Sequence, residues 1–157
     1  MLIVADTGPL VSLLQLRLVS VLEELYPDFV LPGAVFAELQ RIKQLHNFSA
    51  EINLLHSRVK TPIAPIVENV NLQLGELECI SLCKELNADY LLIEDLEARK
   101  FAIQLGIECF GTIALLLKAK DVGLIKEIKP LLFEMKNNGR FLSDKLIHQT
   151  LSYAREI

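Results

Sequence analysis

The sequence of 157 residues lacks tryptophan altogether and has only three cysteines. Cys79, Cys83 and Cys109 are an odd number and do not follow the Cys-x-x-Cys spacing of zinc sites and redox motifs, which argues against a disulfide framework and against a zinc site. Free cysteine usually behaves as a small hydrophobic residue. We therefore expect the three thiols to be buried.

Long apolar runs and an excess of basic residues are also missing. Although 52% of the residues are hydrophobic, no uncharged apolar run approaches the roughly 20 residues of a membrane span. The chain passes from Met1 directly into an apolar stretch, without the features of an export signal, so we expect a cytoplasmic protein with no membrane association. The net charge of −4 argues against nucleic-acid binding by overall positive charge alone. Such binding would need local basic groups or a metal ion.

Repeats, low-complexity tracts and linker-like stretches are absent, and we expect one domain over residues 1–157. Short apolar runs alternate with stretches of helical spacing, which predicts an α/β fold with a parallel sheet covered by helices on both faces. The strands are expected near residues 2–6, 29–31, 90–94 and 107–110. The helices are expected over 10–25 as one or two pieces, 33–44, 49–56, 74–86, 96–105, 112–122, 125–136 and 143–154, with an extended connection through Thr61, Pro62 and Pro65.

Two aspartates stand where an apolar strand passes into a helix. Asp6 ends the first such run and precedes Pro9, a residue that suits the first turn of a helix. Asp95 occupies the same place after the run that begins at Tyr90. Because α/β sheets bind their ligands at the carboxyl ends of parallel strands, we expect the two acids to share a site. The alternative is that each acid only caps its helix by accepting a backbone N–H.

Two glutamates lie on helix stripes that are otherwise apolar and should face the core. The first stripe comprises Val35, Glu38, Leu39 and Ile42, and the second comprises Glu76, Cys79, Ile80 and Cys83. A buried carboxylate needs a cation, a hydrogen-bond network or an edge open to water. Both have an alternative role: for Glu38 it is an ion pair with Arg41 or Lys43 at the surface, and for Glu76, with Glu78 beside it, it is to complement the helix dipole.

The four acids Asp6, Glu38, Glu76 and Asp95 should therefore meet at one edge of the sheet. Four carboxylates in one pocket repel one another and would be driven toward protonation unless a cation lies among them. Hard divalent ions such as Mg²⁺ and Mn²⁺ prefer such oxygen ligands. Ions bound in this way activate water and stabilise charge on a phosphoryl oxygen. The pattern thus indicates metal-assisted hydrolysis of phosphodiester bonds.

At these positions the chain resembles the PIN-domain ribonucleases, and within them a PIN-like group once catalogued as a domain of unknown function, close to the toxin halves of toxin–antitoxin pairs. The resemblance covers nearly the whole chain. It rests on Val4–Leu10, on Leu31-Pro32 through Val35 to Glu38-Leu39, on Leu74–Glu78, on Leu91–Asp95 through Ala98-Arg99, and on Gly111-Thr112 with Lys118–Lys120 and Gly123–Ile125. It implies a three-layer PIN-like fold around a parallel sheet of four to five strands, and Mg²⁺- or Mn²⁺-dependent cleavage of single-stranded RNA.

The resemblance also implies a set of site residues. The acids around the metal would be Asp6, Glu38, Glu76 or Glu78, and Asp95. The third acid stays open, because alignment with the family's helix favours Glu78 whereas the inward stripe favours Glu76. Typical members carry Thr or Ser two residues before the last Asp, where this chain has Ile93, so one supporting hydrogen bond is in question.

Further residues could support the site. Thr7 and Thr112 are candidates for hydrogen bonds within it, and Glu97 follows Asp95 by two residues. Arg99 is a candidate for neutralising a substrate phosphate. Its alternative role is a surface salt bridge, and the same alternative applies to Lys100 and Lys118.

With the acidic site predicted from the residues, the resemblance implies a metal-dependent ribonuclease that is the toxin of a toxin–antitoxin pair. Its partners would be single-stranded RNA and an antitoxin with a basic or amphipathic segment, docked between residues 10–25 and 45–56, and a homodimer is compatible with the sequence. The alternative from another class is a catalytically silent PIN-like module that binds a protein. An aspartyl phosphatase or phospho-acceptor domain fits less well, because position 8, where an Asp-x-Asp motif needs its second acid, is Gly8.

Overall fold

A parallel sheet forms the centre of the molecule. The computed structural model describes residues 1–64 and 71–157. The strands β1 (Ile3–Ala5), β2 (Tyr90–Leu92) and β3 (Cys109–Phe110) lie side by side in the order β1-β2-β3, and both pairs are parallel. All three residues of β1 are fully buried, as expected of a strand covered on both faces. Because β1 and β2 are parallel neighbours, the residues that follow them lie side by side at one edge of the sheet.

Two isolated parallel bridges continue the pairing beyond β1. Val30 pairs with Val4, and Leu31 pairs with Val59. Parallel pairing therefore runs through five segments of the chain, which agrees with the predicted α/β fold and its sheet of four to five strands. The predicted strand at 29–31 is reduced to these bridges, and the pairing of Val59 was not predicted.

Nine helices of the described residues flank the sheet. They are α1 (Thr7–Gln15), α2 (Val19–Leu25), α3 (Gly33–Arg41), α4 (Ser49–Leu54), α5 (Leu74–Leu86), α6 (Leu96–Gln104), α7 (Thr112–Asp121), α8 (Lys129–Asn137) and α9 (Asp144–Tyr153). Two short 3₁₀ helices, Lys43–Phe48 and Leu55–Arg58, stand on either side of α4. None of these helices is both long enough and apolar enough to cross a bilayer.

Most helix boundaries agree with the sequence pattern, and the exceptions have local causes. The helix expected over 33–44 ends at Arg41, because Ile42 adopts an extended conformation before the first 3₁₀ helix. The helix expected from residue 125 begins only at Lys129, where Pro130 occupies the first turn, the position that a proline tolerates in a helix. Pro65, part of the expected extended connection, lies outside the described residues.

The core consists of two clusters of buried apolar side chains. The larger cluster joins the sheet to the helices on both of its faces and contains Cys79 and Cys83. The smaller cluster lies between α7, α8 and α9 and contains Leu116, Leu132 and Leu151. All three cysteines are free thiols, and Cys109 is half-buried. The carboxyl edge of the sheet thus rests on a packed interior.

Candidate active site

Asp6 is held at the carboxyl end of β1. Its N–H donates to the carbonyl of Leu92 at 2.9 Å, so the backbone pairing of β1 with β2 fixes its position. The side chain is only 7% exposed. Its carboxylate makes no capping hydrogen bond to α1, and it instead accepts a contact of 3.6 Å from the Cys79 thiol. Asp6 therefore does not act as a side-chain helix cap.

Asp95 occupies the equivalent place after β2, and it does cap its helix. Its Oδ2 accepts a hydrogen bond of 2.9 Å from the N–H of Ala98 in α6. The residue is exposed to solvent. One carboxylate oxygen has this partner, and a carboxylate can accept several hydrogen bonds or ligand contacts. The capping role thus leaves Asp95 able to bind a ligand at the sheet edge.

Glu38 reaches the same edge from α3. Its Oε2 accepts a hydrogen bond of 2.8 Å from the Thr7 hydroxyl at the start of α1. Its Oε1 lies against Gly75, where an added Cβ would come within 2.5 Å of it. Among the described residues Glu38 forms no ion pair with Arg41 or Lys43. The glutamate is therefore positioned by α1 and α5 and not by an ion pair with Arg41 or Lys43.

The two glutamates of α5 lie in different surroundings. Glu76 is half-buried and faces Asp6 and Asp95. Glu78 is buried, and its Oε2 accepts a hydrogen bond of 3.3 Å from the N–H of Ala34 in the first turn of α3. Residues two apart on a helix point in different directions, so only Glu76 contributes to the pocket at the sheet edge.

These side chains line a pocket of about 310 Å³. Its walls comprise Asp6, Thr7, Gly8, Glu38, Gln73, Glu76, Glu94 and Asp95. Five of the eight residues are acids, and within the described part of the chain only Glu94 has a basic partner, Arg140 at 3.8 Å. The pocket therefore concentrates negative charge that the protein itself does not balance.

Burial and mutual repulsion raise the pKa of two acids in the pocket. Burial, with the nearby carboxylates of Glu38 and Asp95, raises the pKa of Asp6 from 3.8 to about 6. Burial and the charges of Asp95, Asp6 and Glu38 raise the pKa of Glu76 from 4.5 to about 7. Both shifts have the sign expected when like charges share a poorly solvated site. A cation among these acids would relieve the repulsion.

The donor set is suited to a hard divalent ion by type and charge, since such ions prefer carboxylate oxygens. Within residues 1–64 and 71–157, no three His, Cys, Asp or Glu side chains converge closely enough to hold a metal ion as they stand. The residues therefore fit Mg²⁺ or Mn²⁺ in chemistry without being gathered around one coordination centre.

The remaining residues singled out in the sequence, from Glu97 onward along the chain, do not line the acidic pocket. Thr112 is buried at the start of α7 and donates its N–H to Glu94 at 2.6 Å, while its hydroxyl has no partner among the described residues. Arg99 lines a neighbouring pocket that Glu94 also lines. Glu97 is exposed and lies 3.8 Å from Lys100, three residues along α6. Lys118 is exposed on α7 and does not line the acidic pocket.

Glu94 is the acid of the pocket that the sequence analysis missed. It precedes Asp95 directly at the exit of β2, and this adjacency is the signal that could have identified it. Gln73, just before α5, and Gly8 also line the pocket without having been predicted. Neither has a sequence pattern that separates it from ordinary loop and helix-start residues.

A family model described as PIN domain matches residues 2–156. Among solved structures, the chain is similar to a PilT N-terminus domain protein from the hyperthermophilic archaeon Sulfolobus solfataricus P2, with a TM-score of 0.50 and 24% identity over 76% of this chain and 93% of that chain. Likeness at this identity concerns the fold alone. The comparison with curated proteins found no match.

Proposed function

The chain belongs to the PIN-domain family, whose members are generally nucleases, and on this premise we propose that it is a Mg²⁺- or Mn²⁺-dependent endoribonuclease acting on single-stranded RNA. The observation that carries the proposal is the acidic pocket at the carboxyl ends of β1 and β2, where Asp6, Glu38, Glu76 and Asp95 have no basic partner among the described residues. An uncompensated cluster of this kind is stable only with protons or a bound cation.

Each acid has a role in this proposal. Asp6 and Asp95 would hold the ion from the strand ends, and Glu38 and Glu76 would complete the site directly or through water. Thr7 holds Glu38 in place by its hydrogen bond. Glu78 lies outside the metal site and stabilises the start of α3 by accepting the N–H of Ala34. A bound Mg²⁺ or Mn²⁺ would supply an activated water and stabilise charge on the phosphoryl oxygens.

We further propose that the enzyme is the toxin of a cytoplasmic toxin–antitoxin pair. An apolar groove of about 450 Å³ between α1, α2 and the α4 region supports a protein partner. Leu54 on its rim is 76% exposed, and it lies where the sequence analysis expected the partner to dock. A basic side chain of the antitoxin, inserted among the carboxylates, would satisfy their charge and exclude RNA. The free thiols suit a reducing compartment.

The test is cleavage of a fluorescent single-stranded RNA by the purified protein with Mn²⁺ and with EDTA. We expect hydrolysis only with Mn²⁺, and a loss of at least about 100-fold in Asp6→Asn, because a change of a metal ligand should cost at least as much as a change of its supporting partner. Asp28→Asn, the same substitution on an exposed turn, is the matched control and should cleave normally.

Two results would contradict the proposal in different ways. If calorimetry detects no Mn²⁺ binding and no RNA is cleaved, the silent binding module is the better description. If the protein cleaves RNA but does not inhibit growth when expressed alone, the nuclease stands and the toxin assignment fails.

A further inference from the structure

A second pocket adjoins the acidic one and differs from it in charge. It measures about 440 Å³ and shares the wall residue Glu94 with the acidic pocket. Its lining is mainly apolar, but it includes two arginines, Arg99 and Arg140, and the exposed aromatic ring of Phe141. On a chain with a net charge of −4, two cationic side chains thus line a pocket that shares one wall with the proposed catalytic site.

Arg140 stands at the boundary between the two pockets. A methyl group placed on Gly8, which lines the acidic pocket, would lie 3.6 Å from Arg140 Nη1. Within the described part of the chain, the guanidinium forms one ion pair, of 3.8 Å, with Glu94 Oε1. This distance exceeds that of a hydrogen bond, and Glu94 Oε1 already accepts the N–H of Thr112 at 2.6 Å. The N–H donors of Arg140 are therefore available to an anionic ligand such as a phosphate.

Phe141, the next residue, is 91% exposed. A phenylalanine ring in water contributes nothing to the core, and Phe141 belongs to neither core cluster. Unpaired nucleic-acid bases stack on such rings, whereas bases within a duplex are already stacked and cannot do so. An exposed ring next to arginine side chains is a combination suited to single-stranded nucleic acids, whose bases stack and whose phosphates are anionic.

We infer that this pocket, which we call the flanking subsite (Arg99, Arg140, Phe141 and the pocket they line), binds a nucleotide next to the scissile phosphate of single-stranded RNA. Its base stacks on Phe141, and its phosphate is bound by Arg140 with Arg99 behind it. The inference rests on the proposed function, whose substrate it describes. It assigns substrate binding to a segment between α8 and α9 that contributes no acid to the pocket.

The test separates binding from cleavage. The Asp6→Asn protein, in millimolar MgCl₂, is titrated onto a fluorescent single-stranded RNA and its Kd is measured by anisotropy. Adding Phe141→Ala should weaken binding about 5- to 150-fold, the range for loss of one stacked base, while Phe141→Tyr should bind as the Asp6→Asn protein does. Adding Arg140→Ala should weaken binding and also lower the slope of log Kd against log salt by about 0.7, the value for one lost contact to a single strand.

The control pair lies on another surface. Lys129 and Phe133 also place a cation beside an exposed aromatic ring, in a hollow that neither Asp6 nor Glu94 lines. Lys129→Ala and Phe133→Ala should leave the Kd and its salt slope unchanged. Because Phe141 is exposed, its replacement should also leave the thermal stability unchanged, which excludes a structural explanation.

The outcomes distinguish the inference from the proposed nuclease. If the unsubstituted protein cleaves RNA but adding Phe141→Ala or Arg140→Ala to Asp6→Asn leaves RNA binding normal, the flanking subsite is wrong and the nuclease stands; the pocket is then better suited to an apolar peptide. If the single strand binds in a Phe141-dependent manner but no RNA is cleaved, the subsite stands and the nuclease fails. Absence of any binding to single-stranded RNA overturns the subsite.

Discussion

The hydroxyl of Thr7 donates a hydrogen bond of 2.8 Å to Oε2 of Glu38 and so connects the first residue of α1 to the middle of α3. Thr7 directly follows Asp6, which the pairing of β1 with β2 holds in place. One hydrogen bond therefore sets the position of an acid on a helix relative to an acid on the sheet. Partners of this kind orient metal ligands and are often nearly as important as the ligands.

Replacement of Thr7 tests this relationship. Thr7→Val keeps the shape of the side chain and removes the hydroxyl, so Glu38 loses its positioning partner. We expect RNA cleavage to fall about 10- to 100-fold, the range for residues that support metal ligands. Thr7→Ser keeps the hydroxyl and should retain most of the activity. Equal cleavage rates in the valine and serine variants would show that the hydrogen bond does not matter for function.

Gly75→Ala should impair the site without changing any of its acids. The new Cβ would come within 2.5 Å of Glu38 Oε1 and 3.4 Å of its carboxyl carbon, so the carboxylate must move. We expect a loss of cleavage and of Mn²⁺ affinity measured by calorimetry. Alanine is better than glycine within a helix by up to about 1 kcal/mol, so the loss of activity should not be accompanied by a comparable loss of stability. An active variant with normal Mn²⁺ affinity would show that Glu38 does not need its present position.

The two glutamates of α5 should respond differently to the same substitution. Glu76→Gln removes a carboxylate from the acidic pocket, and we expect cleavage and Mn²⁺ binding to fall while the metal-free fold remains intact. Glu78→Gln weakens a hydrogen bond to the N–H of Ala34 and should cost about 1 kcal/mol of stability with little effect on Mn²⁺ affinity. The opposite result would identify Glu78 as the third acid.

The raised pKa of Asp6 predicts how stability depends on pH in EDTA. Between pH 3.8 and about 6 the folded carboxyl group keeps a proton that the unfolded chain has released. The folded state then binds more protons, so this group lowers the free energy of unfolding as the pH rises through that window. The cost at full ionisation is on the order of 3 kcal/mol. Asp6→Asn should therefore become more stable than the parent over the same window, as measured by urea unfolding.

Manganese provides the control for this pH dependence. An ion that binds the ionised acids should stabilise the parent protein by about 2.7 kcal/mol at 100 times its Kd and stabilise Asp6→Asn much less. The stability advantage of the variant should then shrink or reverse near neutral pH. A variant that unfolds in EDTA, or a gap that does not change with pH, would contradict the raised pKa of Asp6.

The position of a strand in the sheet predicts where the residue after it lies. Asp6 and Asp95 were predicted to lie at neighbouring strand ends, and both line the acidic pocket, because parallel strands that carry an acid at the same end bring those acids together. The choice between Glu76 and Glu78 could not be made in the same way. Helical spacing and family alignment favoured different residues, and the contact of Glu78 with Ala34 depends on the packing of α5 against α3.

The chain by itself determined the alternation of strands and helices, the parallel sheet and the edge at which ligands should bind, because these follow from local periodicity and from the handedness of crossovers. Only the tertiary structure decided which side chains meet. Glu94 is separated from Arg140 by 46 positions, and Glu38 from Gly75 by 37, yet both pairs are neighbours in space. No periodicity extends over such separations, since contacts between distant segments depend on how whole elements pack together.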